Sequence, residues 1–144
     1  MKVLIPCFFL LLLFILPGCR KSNQQNDTMV NKEKLLTEKT WRLFSYGLDV
    51  NNNGLTDASE EAINNCEKDN TYSFALNSSG VVTENTELCP GKNALSSFQW
   101  SFTNNETELD FVHGIALIIK LTGDSMMLGE KSTGSPKLIF NYKH

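Results

Sequence analysis

The chain has 144 residues and a net charge of −3 at neutral pH, from 13 basic and 16 acidic side chains. That length suits one domain and is too short for two. The mildly acidic balance, without a stripe of lysine and arginine to meet phosphates, argues against nucleic acid as a partner.

Met1-Lys2 opens the chain with one positive charge, and Val3 to Leu16 is apolar except for Pro6, with Cys7 acting as a small hydrophobe. The run is shorter than the ~20 apolar residues of a comfortable membrane-spanning helix. A charged start, an apolar middle and a small residue at the exit predict a removable signal peptide over residues 1–18. The exit reads Leu16-Pro17-Gly18-Cys19. It resembles the lipobox of bacterial lipoproteins, in which the cysteine is acylated and becomes the first residue of the mature protein. The resemblance implies lipidation at Cys19, a membrane partner reached through that anchor, and a place in the bacterial cell envelope at the outer membrane. The alternative is an ordinary secretory signal with an incidental cysteine. Each buried methylene contributes ~0.8 kcal/mol and one acyl chain alone binds marginally, so durable attachment takes more than one chain. Residues 19–34 read as a polar tether, with Arg20 to Asp27 offering nothing to bury.

Asn31 to Lys39 predicts a short helix with Leu35 and Leu36 as its apolar contacts, and Trp41 to Leu48 an aromatic-rich first strand. The next segment carries the most chemistry. Asp49-Val50-Asn51-Asn52-Asn53-Gly54-Leu55-Thr56-Asp57-Ala58-Ser59-Glu60 fits the twelve-residue EF-hand loop at every fixed position. Calcium is a hard cation that takes six to eight oxygens. Asp49, Asn51, Asn53, Asp57 and Glu60 would supply side-chain oxygens and Leu55 its carbonyl, while Gly54 makes the bend. Three carboxylates place the affinity toward the weak end, ~10⁻⁴ to 10⁻³ M. Because a strand precedes it, the loop is expected to be single rather than one of a pair. Asp57-x-x-Glu60 predicts a helical exit before Ala62 and Ile63. The competing reading is a plain Asn53-Gly54 turn followed by a helix cap.

Cys66 and Cys89 are the cysteines left after the signal and the lipobox. In an oxidising compartment an even pair reads as a disulfide, the alternative being two buried thiols. Short strands then follow: Tyr72, Phe74 and Leu76 in alternation, a turn at Asn77 to Gly80, and Val81 to Glu84. After them come Phe98, Trp100 and Phe102 with a period of two, Leu109 to Val112, a His113-Gly114 turn, and Ile115 to Leu121. Thr122 to Asp124 turns into Ser125 to Leu128, and Lys131 to Pro136 turns into Leu138, Phe140 and Tyr142. About eight strands joined mostly by hairpin-length turns predict an all-β fold, either a sandwich or an up-and-down antiparallel barrel, with short helices.

The tryptophan at strand one within Leu36 to Leu43, the Cys66 to Phe74 segment with its downstream Gly80, the Phe98-x-Trp100 strand, and Ile119-Lys120-Leu121 running through a turn to Met127-Leu128 resemble the lipocalin-like domains of small Gram-negative lipoproteins. The resemblance covers residues 35–144 and implies a closed barrel with an apolar interior. An eight-strand barrel either is filled by its side chains or holds one small ligand. The reading favoured from sequence is a small apolar ligand bound by Trp41, Phe74, Trp100 and Phe140. The alternative is a filled barrel that works as an interaction protein with an envelope partner.

No enzyme is expected. Gly123-Asp124-Ser125-Met126 and Asp110-x-x-His113 resemble motifs of one hydrolase family, but their order is reversed and the α/β scaffold is missing. Glu60-Glu61 and Glu106-x-Glu108 have no aromatic wall in sequence that would raise a pKa, and read as solvated charge.

Overall fold

A computed structural model describes residues 31–131, 134 and 137–144. The expected signal peptide, Cys19 and the tether up to residue 30 lie outside the described residues, as does part of the turn from Lys131 to Pro136. Helix α1 spans Lys32–Thr37, capped by the Asn31 side chain, which accepts the Lys34 N–H. Helical structure therefore starts within the stretch read as tether. The strands are β1 Thr40–Asp49, β2 Thr71–Phe74, β3 Ser79–Thr83, β4 Leu95–Gln99, β5 Ser101–Thr103, β6 Glu108–Phe111, β7 Gly114–Leu121, β8 Ser125–Glu130 and β9 Lys137–Lys143, with a 3₁₀ turn at Asn65–Glu67.

All pairings are antiparallel, in the order β4-β3-β2-β1-β9-β8-β7-β6-β5. The two sheet edges, β4 and β5, are one strand interrupted at Trp100. Its first half pairs with β3 and its second half with β6. The fold is thus an up-and-down antiparallel barrel of eight strands, nearly closed, with one strand bridging the seam. Trp100 holds that seam: its backbone N–H donates to the Ser78 carbonyl at 2.9 Å, and its Nε1 is 3.1 Å from the carbonyls of both Ala75 and Ser79. Leu76, expected in a strand, lies instead in the β2–β3 turn and is 72% exposed. The Ala75 and Ser78 backbones close that turn, with Ser78 at a φ of 64°.

Alternation sends Trp41, Leu43, Tyr72, Phe74, Phe111, Met126, Leu128 and Tyr142 into one core. A bulge between Leu43 and Ser45 shifts β1 by one residue, so Tyr46 returns to the inward face after the outward Phe44. α1 covers one barrel end: Leu36 is fully buried, and Trp41 Nε1 donates to its carbonyl at 2.9 Å. Loop 50–70 and turn 112–113 lie at the other end. There the Cys66–Cys89 disulfide, with an S–S distance of 2.00 Å, clips the 3₁₀ turn to the chain after β3.

Candidate functional site

Loop 49–60 winds around its own side chains. Asp49 is 5% exposed; its Oδ1 accepts the Asn53 N–H at 2.9 Å and its Oδ2 the Gly54 N–H at 2.8 Å. Asn51 Oδ1 also accepts from the Asn53 N–H, at 2.9 Å, and Asn53 Oδ1 from the Leu55 N–H, at 2.8 Å. Such short-range contacts are what Asn and Asp do in turns. Asn52 at φ 59° and Gly54 at φ 79° complete the coil. At Gly54 a Cβ would meet nothing within 4 Å, so the backbone angle rather than crowding favours glycine.

Glu60 closes the loop. Its Oε1 accepts the N–H groups of Val50 at 2.8 Å and Asn51 at 3.2 Å, and its Oε2 accepts that of Asp57 at 3.0 Å. The Asp57 N–H contributes most to holding this carboxyl below its ordinary pKa, with partial desolvation opposing. Asn51 and Asn53 donate their amide N–H₂ groups to Asp57 Oδ2, at 2.7 and 3.1 Å. The side chains at 49, 51, 53, 57 and 60 therefore share one small polar knot. Among the described residues, no three His, Cys, Asp or Glu side chains are gathered as a metal centre. The three carboxylates here turn to backbone and amide N–H groups instead.

The helical exit expected after Asp57 does not form. The Glu60 N–H donates to the Asp57 carbonyl at 2.9 Å as a single turn, and the chain then pairs with β1. Glu61 bridges Gly47, and the Ala62 N–H donates to the Tyr46 carbonyl at 2.8 Å. The Asp57-x-x-Glu60 contact is made, but strand pairing captures the chain before a second helical turn. Gly47 is the seat of this return. A Cβ there would overlap the Glu60 carbonyl oxygen and come within 2.7 Å of Thr56 Cγ2.

Beside the seated loop, the outer wall holds a cleft of about 310 Å³. Register explains its floor. Lys120 pairs with Met127, Met127 with Asn141, and Asn141 with Ser45, a row running across four strands on the outward side. Asn141 Nδ2 donates to Ser45 Oγ at 3.0 Å. Leu55, Thr56 and Asp57 form one wall, and Phe44 with Lys143 lies in the same lining. Lys143 Nζ sits 3.5 Å from the centroid of the Phe44 ring. Sequence reasoning missed this cleft, because a cross-strand row becomes visible only once register is known. One local signal existed: the inward aromatic and aliphatic spacing changes from two to three over Trp41, Leu43 and Tyr46, which marks the bulge that follows the outward Phe44 and returns Tyr46 to the core.

The residues read as ligand-binding all face the barrel interior, where they are packed. Phe74 meets Phe98, Trp100 and Phe111 with ring centroids 5.3, 5.8 and 6.2 Å away. Trp41 is fully buried. Phe140 lies nearest the far end, stacked on the His113 ring at 5.0 Å and 5.7 Å from Tyr46. His113 is more than a turn residue: its ring also packs edge-on against Phe111, and its Nε2 is 3.4 Å from the Tyr72 hydroxyl. Desolvation by these neighbouring rings pushes its pKa down, although one edge of the residue stays exposed, and the Glu67 carboxylate opposes the shift. At the same end Tyr46 donates to Glu67 Oε2 at 3.2 Å, and its phenol is pushed up by burial and then by that carboxylate. Deeper in, the Tyr142 hydroxyl is buried with no hydrogen-bond partner among the described residues.

Asp110 and Ser125 of the hydrolase-like motifs sit on different strands, and Ser125 Oγ lies 3.1 Å from Thr122 Oγ1 within its own turn. Glu106 lies in the β5–β6 turn, whereas Glu108 is 3% exposed and paired to Lys131 at 3.0 Å, so solvated charge is the wrong description of Glu108. No family model matches the chain, and no curated protein matches it.

Proposed function

We propose that this chain is a lipid-anchored lipoprotein of the bacterial cell envelope, tied to the outer membrane through Cys19. In this reading its lipocalin-like barrel is a filled, rigid and non-enzymatic platform that binds through its outer wall and loops. One observation carries the reading: Trp41, Phe74 and Trp100 are each at most 6% exposed and fill the space an interior ligand would need. Native mass spectrometry of detergent-free protein tests it. The expected mass is that of the chain and its anchor alone, and a stoichiometric lipid-like adduct that survives Lys120→Gln/Lys143→Gln on the outer wall would refute the filled barrel.

Loop 49–60 is the structural calcium site of this platform. Asp49, Asn51, Asn53, Asp57 and Glu60, with the Leu55 carbonyl, would hold the ion. The donor chemistry fits, since all are hard oxygens, and the Asn51 and Asn53 side chains already meet Asp57. The present arrangement places amide N–H₂ groups against Asp57. Turning the two amides would present oxygens to a carboxylate, an arrangement that a cation makes favourable. Bound calcium would supply positive charge to stiffen the loop, and no reaction is assigned to it.

A second reading keeps a small apolar ligand inside the barrel, against Trp41, Phe74, Trp100 and Phe140. The unpartnered Tyr142 hydroxyl favours it, because a buried hydroxyl without a partner calls for a water or a ligand atom.

A further inference from the structure

The outer-wall cleft has the chemistry of a binding site. Its floor and walls are mixed in a definite way. Phe44 and Leu55 are 45% and 51% exposed, large apolar groups left facing solvent, and Met127 adds a third apolar side chain to the lining, next to Lys120 in the cross-strand row. Lys120 and Lys143 stand on the strands flanking β8, and neither has an ion-pair partner among the described residues. Lys143 is held over the Phe44 ring rather than by a carboxylate. Asp57, the acid of the opposite wall, is engaged by the Asn51 and Asn53 amides. The cleft thus offers an apolar lining flanked by two cations, Lys120 on one side and Lys143, over Phe44, on the other, with no ion-pair partner for either among the described residues. Its volume of about 310 Å³ lies at the small end of the range for ligand sites.

We propose that this cleft binds a medium-chain fatty carboxylate. The head group lies between Lys120 and Lys143, and the chain runs along Met127, Phe44 and Leu55. Charge complementarity selects the anion, and the apolar lining selects the tail over a bare ion. This takes the outer-wall reading one step further, and it depends on neither the anchor nor calcium.

The test is titration of sodium decanoate into the full-length protein, followed by calorimetry and by amide chemical shifts. The expected result is saturable binding with one site, weakening with salt, and shifts at residues 55–57, 127, 141 and 143. Replacing both lysines in Lys120→Gln/Lys143→Gln should weaken binding roughly tenfold, since each contributes a partly screened ion pair. Leu55→Asn should weaken it independently, and Lys92→Gln, away from the cleft, should not. Absence of saturable binding, or binding indifferent to the double lysine variant, overturns the proposal. Shifts centred on Phe74, Phe98 and Phe111 would overturn it too, and would also sink the filled-barrel reading. Loss of decanoate binding with no interior adduct leaves the platform standing. Binding seen only to anionic vesicles and never to free decanoate would make the wall a bilayer contact and overturn the proposal.

Discussion

Gly47→Ala probes the joint between loop and barrel. The glycine has no positive φ, so strain in its own backbone is not the issue. Its missing side chain is occupied by the returning loop: an added methyl would overlap the Glu60 carbonyl oxygen and lie 2.7 Å from both the Glu60 carbonyl carbon and Thr56 Cγ2. Backbone at Glu60 cannot rotate away as a side-chain tip would. Overpacking of this kind costs about 1–3 kcal/mol. Relief by lifting the loop would sacrifice the Ala62–Tyr46 hydrogen bond and the Glu61 bridge, about 0.5–1.5 kcal/mol each. The lower entropy of the unfolded alanine chain returns about 0.4–1 kcal/mol. The balance is a loss of about 0.5–2.5 kcal/mol, or a fall in melting temperature of about 2–10 °C for a domain of this size. Thermal melts followed by circular dichroism measure it, with limited proteolysis reporting whether cleavage appears within 50–60. Gly123→Ala is the control, since a Cβ there meets only Lys39 Nζ at 3.9 Å. A Gly47→Ala protein that melts with the wild type and resists protease equally would refute the seating of the loop on the wall.

Millimolar calcium should raise the melting temperature, by about 1.4 kcal/mol of stability at ten times the dissociation constant, and Asp49→Ala with Glu60→Ala should abolish the rise; a flat titration removes the calcium site. Cys66→Ser with Cys89→Ser opens a loop with a sequence separation of 23 and should cost roughly 3 kcal/mol in guanidinium unfolding, so an unchanged midpoint would show that the bridge constrains nothing. The hydrogen bond from Lys131 holds the buried Glu108 carboxyl below its ordinary pKa, aided by Asn104 and Thr103 and opposed by desolvation. A carboxyl with a lowered folded-state pKa stabilises above its unfolded value and loses that contribution as pH falls through the folded one. Lys131→Met should therefore lower the melting temperature at neutral pH and shift the acid limb of the stability profile upward. An equal deficit at pH 3 and pH 7 would contradict this account of the pair.

The inward face of the barrel was legible because aromatic spacing reports it directly. Phe98, Trp100 and Phe102 alternate as written, and all three contribute to the core. What the alternation could not show is that this strand changes partner at Trp100, since that depends on how far β3 and β6 reach along it. The cysteine pair was readable from count, with two cysteines left beyond residue 19. Leu76 was misread because an apolar residue at the right phase is not distinguished from a turn residue until Ser78 takes its positive φ. The helical exit failed for a tertiary reason: Gly47 lies within reach of Glu61 and offers a strand edge, which outweighs a local cap. His113 read as a turn residue because nothing near it in sequence announces Phe140, the ring it stacks on.

The distribution of satisfied polar groups argues that recognition belongs on the outside of this barrel. Inside, the two indoles are both paired, Trp41 to the Leu36 carbonyl and Trp100 to two carbonyls at the seam, so moving either to admit a ligand would break a buried hydrogen bond. The rings around Phe74 interlock at 5.3 to 6.2 Å, and opening space among them means separating contacts on several strands at once. Outside, the cations of the cleft lack ion-pair partners among the described residues, its apolar groups are half exposed, and one wall is a loop held by its own polar knot and its seat on β1. The outer surface can thus gain partners without unpacking the molecule. The Tyr142 hydroxyl is the interior exception, and a single enclosed water would satisfy it with far less disruption than a ligand large enough to displace an aromatic side chain.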